Sequence, residues 1–198
     1  ATTGSTAPGR FIIMACVPLA AGALAAAAAL VLLSRRRRPR LPTSVILQDV
    51  GEVAVTSESS GSNRVVTLDW EQVFGKLQAK IPFSSGVIAR NGTVYISGTI
   101  GLEPPAGRPP AIVKGGPRSE TVRIWQILEA MLHACGAGLE HVCMVHVFLV
   151  GFTPESFAEM NAGYLEFWGE RPLPCRITVG CSALALGATV EIDVVASL

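Results

Sequence analysis

No acidic residue occurs in this sequence before Asp49, and up to that point every charge is an arginine. The five cysteines are an odd number with no C-x-x-C spacing, which argues against a disulfide framework and for a reducing compartment. The three histidines, His133, His141 and His146, do not fall in a metal-ligand pattern, so no metal site is expected. The formal net charge of +1 and the lack of a basic stripe with aromatic platforms exclude a nucleic-acid partner on charge grounds. What remains is a basic, alanine-rich start followed by a stretch of ordinary globular composition, acidic on balance.

The start carries its own signal. Phe11 to Leu33 is uncharged and is followed at once by Ser34 and Arg35–Arg38. That length suits a membrane-spanning helix over 11–33, and the arginines would hold the rest of the chain in the cytosol. An Arg-rich, acid-poor leader is equally a pattern for targeting to an organelle such as the mitochondrion. Residues 1–40 are thus expected to be a leader giving a membrane-anchored or organelle-delivered protein, and the polar tract TSESSGSN makes 41–63 a flexible linker. The folded domain is expected over 64–198.

Within it, Val65–Leu68 reads as a strand, and Asp69 as the cap of a short helical segment containing Trp70 and Val73. Two apolar runs flank Asn91-Gly92, the strongest short hairpin signal. A helix follows from Ser119, with Val122, Trp125, Leu128 and Met131 on one face. The valine-rich run 141–150 is a buried strand, and Thr153-Pro154-Glu155 opens a helix reaching Trp168. Runs at 175–182 and 189–196 close the chain and read as an antiparallel hairpin. The pattern is an α+β domain, a sheet with its helices on one face.

Two charges lie inside those last runs, Arg176 and Glu191. Buried strands rarely hold a charge unless it is paired or used. If the hairpin pairs them, they stand within reach of one small polar molecule; spacing alone fits a cross-strand ion pair as well as an active site.

The domain resembles the RidA/YjgF family of enamine and imine deaminases. The resemblance rests on PFSSG before the Asn-Gly hairpin, VYISGTIG after it, ACGAGLEHV, VHVFLV, FAEMNAGYLEFW, and RPLPCRITV with GATVEIDVVA at the end. It implies a chorismate mutase-like fold, a mixed sheet covered by two helices, with three copies forming a barrel-like homotrimer and sites in the clefts between subunits. It implies hydrolysis of reactive 2-imino acids or their enamine tautomers, of the 2-aminoacrylate and 2-iminobutanoate type, to 2-keto acids and ammonia. That activity protects pyridoxal-phosphate enzymes and needs no cofactor. Position by position, Arg176 would grip the substrate carboxylate and Glu191 would hold and activate water, while Ser97, Gly98 and Asn161 would line the cleft. Phe83 stands where the family usually has tyrosine and Thr178 where it often has cysteine. These two departures leave room for an alternative, a non-enzymatic trimeric ligand sensor or interaction module of the same fold.

Overall fold

Alternating apolar residues build most of the sheet. The computed structural model describes residues 40–74, 81–103 and 110–198, and Arg40–Leu198 forms one compact unit. Eight strands run in the order β1-β2-β3-β4-β5-β8-β6-β7. They are β1 (Ser44–Leu47), β2 (Gly51–Ser60), β3 (Asn63–Leu68), β4 (Gly86–Ile88), β5 (Thr93–Ile100), β6 (Val142–Val150), β7 (Cys175–Cys181) and β8 (Val190–Ser197). Helices α1 (Trp70–Phe74), α2 (Gly116–Ala134) and α3 (Pro154–Trp168) complete the α+β fold.

Local signals act as expected. Asp69 Oδ1 accepts from the amides of Glu71 and Gln72, capping α1. Gly92 turns the β4–β5 hairpin at φ 91°, and Asn91 Oδ1 accepts from Thr93 N. Thr153 Oγ1 accepts from Ser156 N, and Pro154 occupies the first turn of α3. One face of the sheet is closed by α2 and α3, which bury Val145, Val147, Leu149, Val190, Ile192 and Val194. Between the two helices, Trp125 meets Tyr164 and Trp168 edge-on at 5.4 and 5.0 Å. A Cβ on Gly163 would strike the carbonyl of Arg118, so glycine sets how closely the helices approach.

Three expectations are corrected. The expected linker 41–63 carries β1 and β2 instead. Val45, Leu47, Val53 and Val55 are buried in the core, and β2 continues past Val55 by pairing its polar half with β3. That half needs no apolar residues, because the backbone ladder holds it.

The closing hairpin is not a hairpin. β7 runs parallel to β6, with Arg176 opposite Val145, and β8 inserts antiparallel between β5 and β6. The unit β6–α3–β7 is therefore a crossover, the connection that parallel neighbours require.

The single-pass membrane reading and the localisation drawn from it are also corrected. Among the described residues no helix is long and apolar enough to cross a membrane. The longest, α2, carries Arg118, Glu120, Arg123 and Glu129. The expected span, 11–33, lies outside the described residues.

Candidate functional site

The pairing register decides which candidate residues meet. On β8, Glu191 lies opposite Phe148 of β6, and Phe148 lies opposite Val179 of β7. Glu191, Asp193 and Val195 therefore share the sheet face away from the helices, while Val190, Ile192 and Val194 face them. Arg176 lies opposite the buried Val145, on the helix face. One strand and opposite faces separate the two charges. Two strand spacings and an offset of three residues put their Cα atoms roughly 14 Å apart. Within one chain they form neither an ion pair nor a common site.

Each nevertheless has a built environment. The Arg176 guanidinium donates from Nη2 to Asn161 Oδ1 at 2.7 Å and lies over the Tyr164 ring at 4.8 Å. Both partners sit on α3, one helical turn apart, so they hold the planar cation from two directions. Burial pushes the Tyr164 hydroxyl up to about 12, against the opposing pull of Arg176, so the ring stays neutral beside the cation. Thr178 is two residues along β7 on the same face as Arg176. Its buried hydroxyl finds no partner among the described residues.

Glu191 stands in a different cleft, of about 340 Å³, with Ser97, Gly98 and Phe83. Strand β5 is irregular between Ile96 and Thr99, and there it exposes Gly98 to β8. A side chain at position 98 would overlap the Glu191 carboxylate, so only glycine lets the carboxylate cross. The Ser97 hydroxyl proton is engaged by the chain itself. Ser97 Oγ donates to Ser84 O at 2.7 Å, and the Ser97 amide donates to Ser85 O at 3.1 Å. These bonds tie the PFSSG segment to β5. The Phe83 ring, 56% exposed, stands at the rim.

Burial raises the Glu191 carboxyl above its ordinary value of 4.5, and the negative charge of Asp193 raises it further. Asp193 is itself paired with His146 of β6, with His146 Nδ1 and Asp193 Oδ1 2.6 Å apart. Among the described residues no three His, Cys, Asp or Glu are grouped to hold a metal ion.

The structure thus brings Glu191 together with Ser97, Gly98 and Phe83, and Arg176 together with Asn161 and Thr178. One residue the sequence reading missed anchors the strand that carries Glu191. Glu120, buried on α2, accepts from Thr189 N at 2.8 Å, Thr189 Oγ1 at 2.7 Å and Val190 N at 3.1 Å, fixing the start of β8. Its signal was present. Glu120 lies in line with Ile124, Ile127 and Met131, so an acid stands on the apolar stripe of the helix. A carboxylate there must be satisfied by neighbouring donors.

The chain is similar to proteins of one family over most of the described residues. The profile of the family described as Endoribonuclease L-PSP matches residues 75–198. A 2-iminobutanoate/2-iminopropanoate deaminase of Dermatophagoides farinae is 35% identical over 112 residues, covering 57% of this chain and 82% of the relative. A RutC family protein of Pyrococcus horikoshii is 34% identical, covering 58% and 86%. The crystal structure of RidA from an Antarctic Psychrobacter species superposes with a TM-score of 0.51 at 27% identity, covering 61% of this chain and 91% of that one. The chain belongs to the Endoribonuclease L-PSP family, which is the RidA/YjgF family.

Proposed function

We propose that the protein hydrolyses 2-imino acids to 2-keto acids and ammonia, in clefts that two copies of the chain complete. The observation that carries the reading is the Glu191 carboxylate. It is held in an apolar cleft, crosses the backbone at Gly98, and has its proton affinity raised by burial. A carboxyl so placed can serve as base and acid in turn.

A 2-imino acid needs two recognitions, one for its carboxylate and one for the water that attacks its C=N carbon. Arg176 suits the first, because a planar guanidinium binds a carboxylate through two parallel hydrogen bonds. Since Arg176 and Glu191 of one chain stand on opposite faces, the reading requires Arg176 from a second copy. The sheet face carrying Glu191 supports such an assembly. Tyr95, Ile177 and Val179 are exposed there, and they adjoin the half-buried Met144, Phe148 and Val195. An apolar face of that kind marks a site of association. A closed ring of three copies is the assembly we assign to it.

The steps balance with water alone. Ionised Glu191 takes a proton as the water oxygen bonds to the protonated imine carbon, giving a tetrahedral carbinolamine. Glu191 then returns that proton to nitrogen. As the C–N bond breaks, its electron pair leaves with ammonia. The hydroxyl proton passes to Glu191 and on to solvent, leaving the C=O of the keto acid.

The test uses the full chain with a threonine dehydratase generating 2-iminobutanoate in situ. The reading expects keto-acid release faster than the spontaneous rate, lost in Glu191→Gln. Release at the spontaneous rate from folded, assembled protein contradicts it.

A further inference from the structure

Glu191 shares its sheet face with two other ionisable side chains, His146 of β6 and Asp193 of β8. His146 Nδ1 and Asp193 Oδ1 are 2.6 Å apart. We propose that His146 is a positioning residue for Glu191, acting through Asp193 to keep that carboxylate ionised as the surroundings turn acid. The role rests on the hydrolytic reading above and assigns a regulation to the same site. All three groups belong to one chain.

The register brings the two carboxylates toward each other. Between β5 and β8, Ile100 pairs with Glu191, Thr99 with Ile192 and Ile96 with Val194, so Ser97 and Gly98 together stand opposite Asp193. The Glu191 carboxylate nevertheless lies against Gly98. It is therefore displaced along the strand, from its own pairing position toward that of Asp193. Two residues of β8 put the Cα atoms only about 7 Å apart, and like charges at such range oppose each other's ionisation. Burial first, and Asp193 second, raise the Glu191 carboxyl above its ordinary value.

His146 sets how much of that opposition Glu191 feels. It lies directly opposite Asp193 in the β6–β8 ladder, on the side of β8 away from β5. A neutral ring leaves the negative charge of Asp193 in place beside Glu191. In acid the ring takes a second proton, and the pair becomes an imidazolium beside a carboxylate with no net charge. Asp193 then ceases to oppose Glu191, which holds its own negative charge further into the acid range. The side chains of His146 and Asp193 are 35% and 29% exposed, so the ring exchanges protons with water while most of the pair is shielded from it. On the strands that flank β6 and β8, alternation places three other ionisable groups on this face: Tyr95 of β5 and Cys175 and Cys181 of β7. Neither residue type carries charge in acid. Ile177 of β7 lies opposite His146, and Phe148 of β6 lies opposite Glu191. Of these groups, only His146 can bring a positive charge to the face.

The experiment labels the full chain with glutamate carrying carbon-13 in its side-chain carboxyl. A pH titration then follows the Glu191 signal, identified by its loss in Glu191→Gln. In the wild-type protein that signal should show a second inflection coinciding with titration of the His146 ring, an arm that needs no substitution to fold. His146→Gln keeps a hydrogen-bond donor but forms no cation, and should raise the Glu191 midpoint by roughly 0.5–1 pH unit. His146→Lys supplies a cation and should return the midpoint to near its wild-type position. In an Asp193→Asn background, His146→Gln should move the midpoint much less. The acid limb of imine hydrolysis should follow the carboxyl signal in each variant. No second inflection and no shift in His146→Gln, with active protein, overturn the inference and leave the hydrolytic reading standing. A shift in His146→Gln that His146→Lys does not reverse also overturns it, because side-chain geometry then accounts for the change. The expected carboxyl shifts without any acceleration of 2-iminobutanoate hydrolysis overturn the hydrolytic reading and uphold the coupling.

Discussion

Arg176 and Glu191 stand on opposite faces of one sheet, with β6 between their strands. Fifteen positions of sequence separate the two residues and hide that relationship, since two consecutive strands joined by a short connection normally pair. Here β7 completes a parallel crossover with β6, and β8 returns to the centre of the sheet. The consequence is functional. The cation and the acid cannot serve one molecule within a single chain, and each is prepared separately, Arg176 by α3 and Glu191 by β5 and α2.

Gly98→Ala tests how Glu191 is prepared. The added methyl would occupy the path of the carboxylate, so hydrolysis should fall by about a hundredfold or more, the scale of losing an acid–base group. Circular dichroism and thermal unfolding should remain near wild type. Full activity in the alanine variant would show that the carboxylate does not work from this position.

Asn161→Ala tests how Arg176 is prepared. The guanidinium loses its 2.7 Å acceptor but keeps the Tyr164 ring. Weaker carboxylate binding should raise KM by about tenfold, as expected for one hydrogen bond to a charged group, with a smaller change in kcat. A loss confined to kcat would contradict the carboxylate role.

The pH profile follows from the shift on Glu191. Its folded pKa is raised, first by burial and then by Asp193, so activity depending on the ionised form should fall on the acid side at a midpoint above 4.5. Asp193→Asn should move that midpoint down, by less than burial raised it. The sign for stability is opposite to that of a salt-bridged carboxylate. Protonated Glu191 favours the fold, and this contribution is lost as pH rises through the folded pKa. Glu191→Gln should therefore be neutral or stabilising at pH 7, measured by urea denaturation.

Glu120→Ala should destabilise the protein by roughly 2–4 kcal/mol, since it leaves the donors of Thr189 and Val190 unpaired in a buried place. Leu47→Ala should cost roughly 2–5 kcal/mol, as for any buried core leucine. A flexible linker would show no loss at position 47, so denaturant midpoints distinguish the two descriptions of this segment.

Features whose cause is local were legible in the sequence. Asn91-Gly92 turns a hairpin, Asp69 and Thr153 cap helices, and the apolar stripe of α2 faces the sheet, because each depends on residues a few positions apart. Features whose cause lies far along the chain were not. Whether β7 pairs with β8 or with β6 depends on the crossover through α3, which leaves no mark in the 175–196 stretch. The polar residues of β2 look like linker because their partner is the backbone of β3, and backbone pairing has no side-chain signature. Arg176 and Glu191 stood out in the sequence as charges inside apolar strands. The separation of those groups onto two faces, and the size of the cavity beside one of them, required the fold.

The most direct test of the account mixes two inactive variants, Arg176→Ala and Glu191→Gln, under conditions that exchange subunits. A neighbour-completed site predicts that mixed assemblies recover activity in about one quarter of their sites, each pairing an intact Arg176 from one copy with an intact Glu191 from the other. Subunit exchange verified by mass spectrometry, with activity no higher than the sum of the two variants alone, would contradict it.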